Sequence, residues 1–536
     1  MAWSQRLEAR AGSVDRRTFL RAAAAAGVLL GAGVSACGVE STSDGLGKRL
    51  VLRQLGEMSN LDPAFAVGQP DYELMVCVYE GLVGYPPGTM HSVSTIAEEM
   101  DVNEDGTRIR FRVRPGVRFH AGYGEVTAED VKFSFERIAG VDGHHLSSPY
   151  ALDWGTLEQV RVTGRYTGEI RLKAPFAPLF RTTLPLFSGF VLSKRATTER
   201  GDRYATSPIG TGPYEFVEWE PRQYALLRKF DGYSGSNSEY AHPVIWDEIE
   251  IRGILNDNSA AIGLTTGELD YGAIAPIDAP RLRGDDGFAV DRHLSFDYTF
   301  IGMNEKHEKL QDKRVREAVR AAIDVDSILA AAFDNAYDRA TAIVPPTMGI
   351  GYWEDAPVRK PDPERARELM AEAGATDTTF NLTAATDQEA SDVVLQVVQA
   401  NLREAGIASE ISMQEPGTFY TLGGRVQAAR EIFYAGFNGL PDPFYSTVWF
   451  TCSQIDKWNY QSYCDKTFDH LNDRATRTLD EDERDRLYVE MQRRWDDACN
   501  TVWVTWQTTT YAGNTEVAPS IGKDGRMLPW NFRKQA

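Results

Sequence analysis

The chain has 536 residues, of which 42% are apolar, and carries 57 lysines and arginines against 77 aspartates and glutamates. A net charge of −20 weighs against nucleic acid as a partner, because binding a polyphosphate rests on neutralising it with basic side chains. The length is more than one ordinary core can fill and predicts two or three domains.

In chain order, Arg16 and Arg17, followed by Phe19 and Leu20, stand just before fifteen small or apolar residues from Ala22 to Ala36. This pattern fits a twin-arginine export signal, and the apolar run is too short for a membrane-spanning helix of about 20 residues. Val34-Ser35-Ala36-Cys37 resembles the lipobox of bacterial lipoproteins. The resemblance implies that residues 1–36 are removed as a signal peptide, that Cys37 is lipidated, and that residues 37–47 tether the chain to the outer face of the cell membrane. Paired acyl chains hold firmly where a single chain binds only marginally. Loss of residues 1–36 takes away five arginines and two acids and deepens the charge to −23.

Beyond the tether, "KRLVLRQLG" reads as a first strand and "PDYELMVCVYEGLVGY" as a helix running into a turn. Asp105-Gly106 predicts a hairpin turn, after which Ile109, Phe111 and Val113 face one way and Arg108, Arg110, Arg112 and Arg114 the other. In "VTAEDVKFSFERI", Thr127 is the N-cap with Asp130 three residues on, and Val131, Phe135 and Ile138 make the buried stripe. Two strands in "TGPYEFVEWEPRQYALLRKF" are broken at Pro221, "VIWDEIEIRGI" gives another, and a helix is expected in "NDNSAAIGLTTGELDYG". The run "KRVREAVRAAIDVDSIL" from Lys313 predicts one helix. In "DPERARELMAEAG", Asp362 caps, Pro363 opens and Gly374 stops the next. From residue 379, strand, helix and strand make a parallel βαβ unit, followed by a short helix and the strand "EIFYAGF".

No metalloprotease HExxH, nucleophile elbow, phosphate loop or dinucleotide fingerprint occurs in the sequence. His144 and His145 lack a third metal ligand nearby and read as a solvated loop. Of the cysteines beyond Cys37, Cys452 and Cys464 bracket "CSQIDKWNYQSYC", a short loop that in an exported chain predicts a disulfide, and Cys77 and Cys499 read as buried thiols.

The blocks "LDPA" (61–64), "VYEGLV" (78–83), "RPGVRFHAG" with "VTAEDVKFSFERI" (114–138), "SPIGTGPYEFVEW" (207–219), "DKRVREAVRAAID" (312–324) and "DPERARELMAEAG" (362–374) follow one another in a telling order. With the late "PDPF", the cysteine pair and "LYVEMQRRWDDA", they resemble the extracytoplasmic solute-binding proteins of the oligopeptide, dipeptide and nickel class (family 5) that serve ABC importers. The resemblance spans residues 48–536 and implies an α/β, two-lobed, periplasmic-binding-protein-like clamp of type II with an additional inserted α/β domain. Lobe I is then 48–70 with 205–294 and 508–536, the insert 71–204, and lobe II 295–507. A binding protein rather than an enzyme is implied, monomeric and without a cofactor. It would close on a solute between its lobes, and its partners would be an ABC permease and ATPase.

In the dipeptide and oligopeptide members an aspartate four residues before the late proline receives the peptide's amino group. Counted back from Pro441, that position holds Phe437. An arginine used by dipeptide members for the ligand carboxylate is missing from "TAATDQEASDVV", which carries Asp387 and Glu389 instead. The expected cleft wall is therefore less charged, suited to a bulky, partly apolar solute or a peptide held by its backbone. Its candidate contacts are Phe433, Tyr434, Gly436, Phe437 and Asn438, with Tyr298, Asp387, Asp442 and Trp449. A non-peptide solute (an oligosaccharide, a metal chelate or another bulky metabolite), a sensor on the same fold and, less consistent with the missing motifs, a secreted hydrolase are the alternatives.

Overall fold

The computed structural model describes residues 48–535 apart from 67, 142, 144–145, 235–239, 241–242 and 422–427. The export signal, Cys37 and the His144-His145 pair lie outside the described residues. Eleven strands share one sheet, whose main path runs Tyr214–Glu220, Tyr224–Lys229, Glu248–Gly253, Arg49–Gln54, Tyr271–Ala273, Thr501–Asn514, Phe288–Met303, Ile432–Phe437, Thr379–Ala385, Ala408–Gln414.

The two long central strands, Phe288–Met303 and Thr501–Asn514, pair antiparallel from Phe288 opposite Asn514 to Gly302 opposite Thr501. At one end of this pair Tyr271 to Ala273 lie opposite Gly513 to Tyr511. At the other end Tyr298 to Met303 lie opposite Phe437 to Ile432. Between the two ends the register slips, from Leu294 opposite Thr508 to Tyr298 opposite Trp506. A slip removes ladder hydrogen bonds and lets the strands bend at this stretch.

Between residues 97 and 172 a separate antiparallel sheet has four strands, Ala97–Val102, Arg108–Val113, Thr167–Leu172 and Leu157–Val162. Ile109, Phe111 and Val113 are buried there and meet Val131, Phe135 and Ile138 of the helix Ala128–Ala139 in one core, as their alternation requires. The Thr127 hydroxyl and backbone N–H both reach the Asp130 carboxylate, closing a capping box. The segment "GTG" at 210–212 passes the end of the helix Gln69–Val78. A Cβ on Gly210 would lie 1.9 Å from the Val78 carbonyl oxygen, and one on Gly212 would lie 2.5 Å from that of Cys77, so only glycine lets this loop pass the end of the helix Gln69–Val78. The buried His120 ring brackets the same loop, accepting from the Gly210 N–H at Nδ1 and donating from Nε2 to the Gly212 carbonyl at 2.9 Å. Burial lowers its pKa to about 4 and keeps it neutral.

One expected helix is two. Lys313–Ala322 ends at an extended Ile323, and Val325–Phe333 starts afresh because the Asp324 carboxylate accepts the Asp326 N–H. A side chain that caps the backbone competes with helix continuation. The helix Pro363–Glu372 is capped by Asp362, with Gly374 left-handed beyond it, and Thr379–Ala385 and Ala408–Gln414 pair in parallel around Ser391–Glu404.

Cys452 and Cys464 are joined, with 4.6 Å between their Cα atoms, and Cys77 and Cys499 are buried free thiols. The bridge closes a loop over a sequence separation of 12 residues. Replacing both cysteines with serine is expected to cost about 3 kcal/mol in the chain-entropy account, read as a lower denaturant midpoint.

Candidate ligand-binding site

The strand Ile432–Phe437 ends beside the break in the central ladder and alternates strictly. Phe433, Ala435 and Phe437 point to one face, Ile432, Tyr434 and Gly436 to the other. Phe437 is half-buried and its ring lies 5.8 Å from Phe300, 6.0 Å from Phe450, 6.2 Å from both Tyr298 and Tyr460, and 6.4 Å from Trp449. Trp449, also half-buried, lies nearly parallel to it at 26°. Rings at these separations attract one another beyond their area burial. Phe437 and Trp449 thus form the accessible front of an aromatic wall whose back is solid core.

Several expected contact residues belong to that back. Tyr298, Phe433 and Tyr434 are all 0% exposed. Tyr298 donates from its hydroxyl to the Ser446 carbonyl at 3.3 Å, and Tyr434 sits in the lobe II core with Ile301 and Val504. They position the wall and offer a solute no surface.

The corrected assignment is Asp442. It is 0% exposed and accepts two hydrogen bonds from Arg484 Nη2, at 2.8 and 2.7 Å, and one from the Phe444 N–H at 3.0 Å. The Tyr488 hydroxyl stands 3.4 Å away and Arg181 Nε 3.9 Å away. A carboxylate so surrounded is the internal counter-ion of a buried arginine, not a ligand group.

Gly436, Asn438 and Asp387 stay accessible. A Cβ on Gly436 would stand 3.1 Å from Thr299 Cγ2 and 3.5 Å from Gln388 Nε2, so the absent side chain leaves a notch between the central strand and the loop that carries Asp387. Glu389 accepts from the Tyr337 hydroxyl at 2.8 Å. Burial raises the Glu389 pKa, with the Tyr337 hydrogen bond opposing it.

The structure adds Asp297 and Arg526, which motif reading missed. Asp297 Oδ1 accepts the Gly439 N–H at 2.9 Å, and a Cβ on Gly439 would lie 2.2 Å from the Phe296 carbonyl, so the turn after Asn438 is pinned to the strand Phe288–Met303. Burial raises the Asp297 pKa, partly offset by Arg526. The Arg526 guanidinium stands over the Tyr72 ring at 5.2 Å and 3.9 Å from the nearest Asp524 oxygen, without a hydrogen bond among the described residues. A half-buried guanidinium in that state can accept an anionic group. The one sequence signal for Asp297 was an acid inside the apolar run "SFDYTFIGM".

A sheet that passes through two lobes by two bending strands, with an accessible aromatic wall beside the bend, defines a hinged solute-binding clamp. The family model described as bacterial extracellular solute-binding proteins, family 5, middle region, matches residues 92–456. The chain belongs to that family. It is similar to the di/tripeptide-binding protein 2 of Pseudomonas aeruginosa, 30% identical over 446 residues that make up 78% of this chain and 81% of the relative. It is also similar to the glutathione-binding protein GsiB of Pectobacterium atrosepticum, 27% identical over 480 residues, 88% of this chain and 91% of the relative. Among solved structures, the periplasmic binding protein DppA from Helicobacter pylori in complex with the peptide STSA has the same fold, with a TM-score of 0.75 at 23% identity over 91% of this chain and 98% of that one. The protein is thus an extracytoplasmic solute-binding component of an ABC importer, a binding protein and not an enzyme.

Proposed function

We propose that this protein is a lipid-anchored receptor that captures a peptide or peptide-related solute with a bulky apolar part and delivers it to its permease by hinge closure. The observation that carries the reading is the half-buried Phe437 beside Trp449, at the position where the resemblance expects an amine-binding aspartate. The peptide- and glutathione-binding relatives support the ligand class. The domain partition expected from the sequence, 48–70 with 205–294 and 508–536 for lobe I, 71–204 for the insert and 295–507 for lobe II, is part of the proposal, and the register slip between Leu294 and Tyr298 supports it. Closure is a population shift, bounded by how much better the solute binds the closed state than the open one. Calorimetric titration with di- to pentapeptides tests the ligand class. Micromolar binding of peptides with large apolar side chains is expected, and no binding across the set would favour a non-peptide solute.

Lipidation of Cys37 is part of the same reading. Cys37→Ser should move the protein from the membrane fraction to the soluble extracytoplasmic fraction. Membrane retention of the variant would contradict the anchor.

A further inference from the structure

The insert is built into lobe I. Besides the "GTG" loop, Arg137 donates to both oxygens of Asp62 at 2.9 and 2.6 Å, and Ser59 donates through its backbone N–H and its hydroxyl to Asp71. The apolar core of the insert is continuous with lobe I and also takes in Phe444, Tyr445 and Trp495 of lobe II. By the ion pair and hydrogen bonds to residues 59 and 62, and by the proposed partition, the insert travels with lobe I when the clamp opens.

Yet the insert also grips lobe II. Arg181, only 8% exposed, donates from Nε to the Pro441 carbonyl at 3.2 Å, from Nη2 to the Met348 carbonyl at 2.8 Å and from Nη1 to Glu481 at 2.9 Å. Asp153 accepts the Tyr445 hydroxyl at 2.8 Å and the hydroxyl of Ser188, within the insert, at 2.7 Å. The Ala177 N–H donates to the Thr476 carbonyl at 2.7 Å, and Phe176 meets Phe444 edge to face at 5.5 Å. The contacts to Pro441, Phe444 and Tyr445 lie on the turn that continues from Phe437 and Asn438, whose near end Asp297 holds through Gly439.

We infer that Arg181 and Asp153 form a closing latch between the insert and lobe II, and that Arg181 is a positioning residue for the ligand wall. Contacts that join a body fixed to lobe I with lobe II can be made only when the lobes meet. Charge-assisted hydrogen bonds from one guanidinium tie the Pro441 end of the turn, Met348 and Glu481 to the insert, Asp153 holds Tyr445 at the other end of the turn, and together they favour the closed state before any solute arrives. A solute then needs less preference for the closed state to hold it shut. The inference rests on the lobe partition proposed above but not on the ligand class.

Distance measurement between spin labels at Ile277→Cys on lobe I and Val358→Cys on lobe II tests it. Both positions are highly exposed, and the free thiols among the described residues, Cys77 and Cys499, are buried. The mature chain without added solute is expected to populate a short distance. Arg181→Ala should raise its open-to-closed ratio about tenfold, Tyr445→Phe several-fold, and Arg181→Lys should restore part of the closed population. Peptides that bind the wild type should lose affinity in the same order. A wild type fully open without solute would overturn the latch. So would distributions that coincide in wild type and Arg181→Ala, even where that variant melts lower, since that is what a merely structural arginine gives. Should Arg181→Ala fail to fold, Tyr445→Phe decides alone, and an unchanged distribution there rejects the proposal.

Discussion

Asp442→Ala is expected to destabilise the protein by about 3–5 kcal/mol, the cost of leaving a buried arginine without its counter-charge. Arg484 is 1% exposed and its Nη2 gives both its short hydrogen bonds to Asp442, while its Nε is spent on the Ala475 carbonyl at 2.9 Å. Neither Tyr488 nor the backbone can replace a carboxylate. Removing both charges together, as Asp442→Leu with Arg484→Met, should cost much less, because no ion is then stranded. Denaturant unfolding of the three variants gives the comparison. Peptide affinity of Asp442→Ala, measured where it is still folded, should fall far less than a lost ligand carboxylate would require. A variant of normal stability that no longer binds would return Asp442 to the site.

Phe437→Asp is the second large effect, and it acts on selectivity. An ammonium entering the closed cleft loses water, and the wild-type wall of rings returns at most a weak cation–π attraction. Hydrogen bonds to a charged partner are worth about 1.5–3 kcal/mol, so a carboxylate at 437 should strengthen binding of free-amine dipeptides about tenfold to a hundredfold. N-acetylated peptides should show no such gain, and Phe437→Leu should give neither. The substitution also removes one ring from a cluster of six, so some loss of stability accompanies it. Tight wild-type binding that vanishes on acetylation would mean that Asp297, Asp387 or Glu389 receives the amine, and that the apolar reading of this wall is wrong.

Where local rules suffice, the structure could be read from the residues. The arginine alternation of Arg108–Val113, the Thr127–Asp130 capping box and the Asp362-Pro363 helix start each depend on neighbours within a turn or a strand. Asp324 breaks a periodic helix through a contact two residues away, which apolar spacing alone does not report. The site was harder because burial there depends on distant partners. Asp442 and Asp297 are both acids near the cleft in sequence terms, but one is consumed by Arg484 from another helix and the other holds Gly439 from the strand Phe288–Met303. Likewise the glycines of "GTG" have no local reason to be glycine. Their reason is the carbonyl of Val78, in a helix 132 residues earlier for Gly210.

The central claim is that this clamp carries a peptide-like solute against an aromatic wall, and native mass spectrometry of the protein purified from its own host tests it most directly. The account predicts a one-to-one complex whose released solute fragments into amino-acid residues with at least one large apolar side chain. A released sugar, a metal chelate or another solute without an amide bond would contradict it.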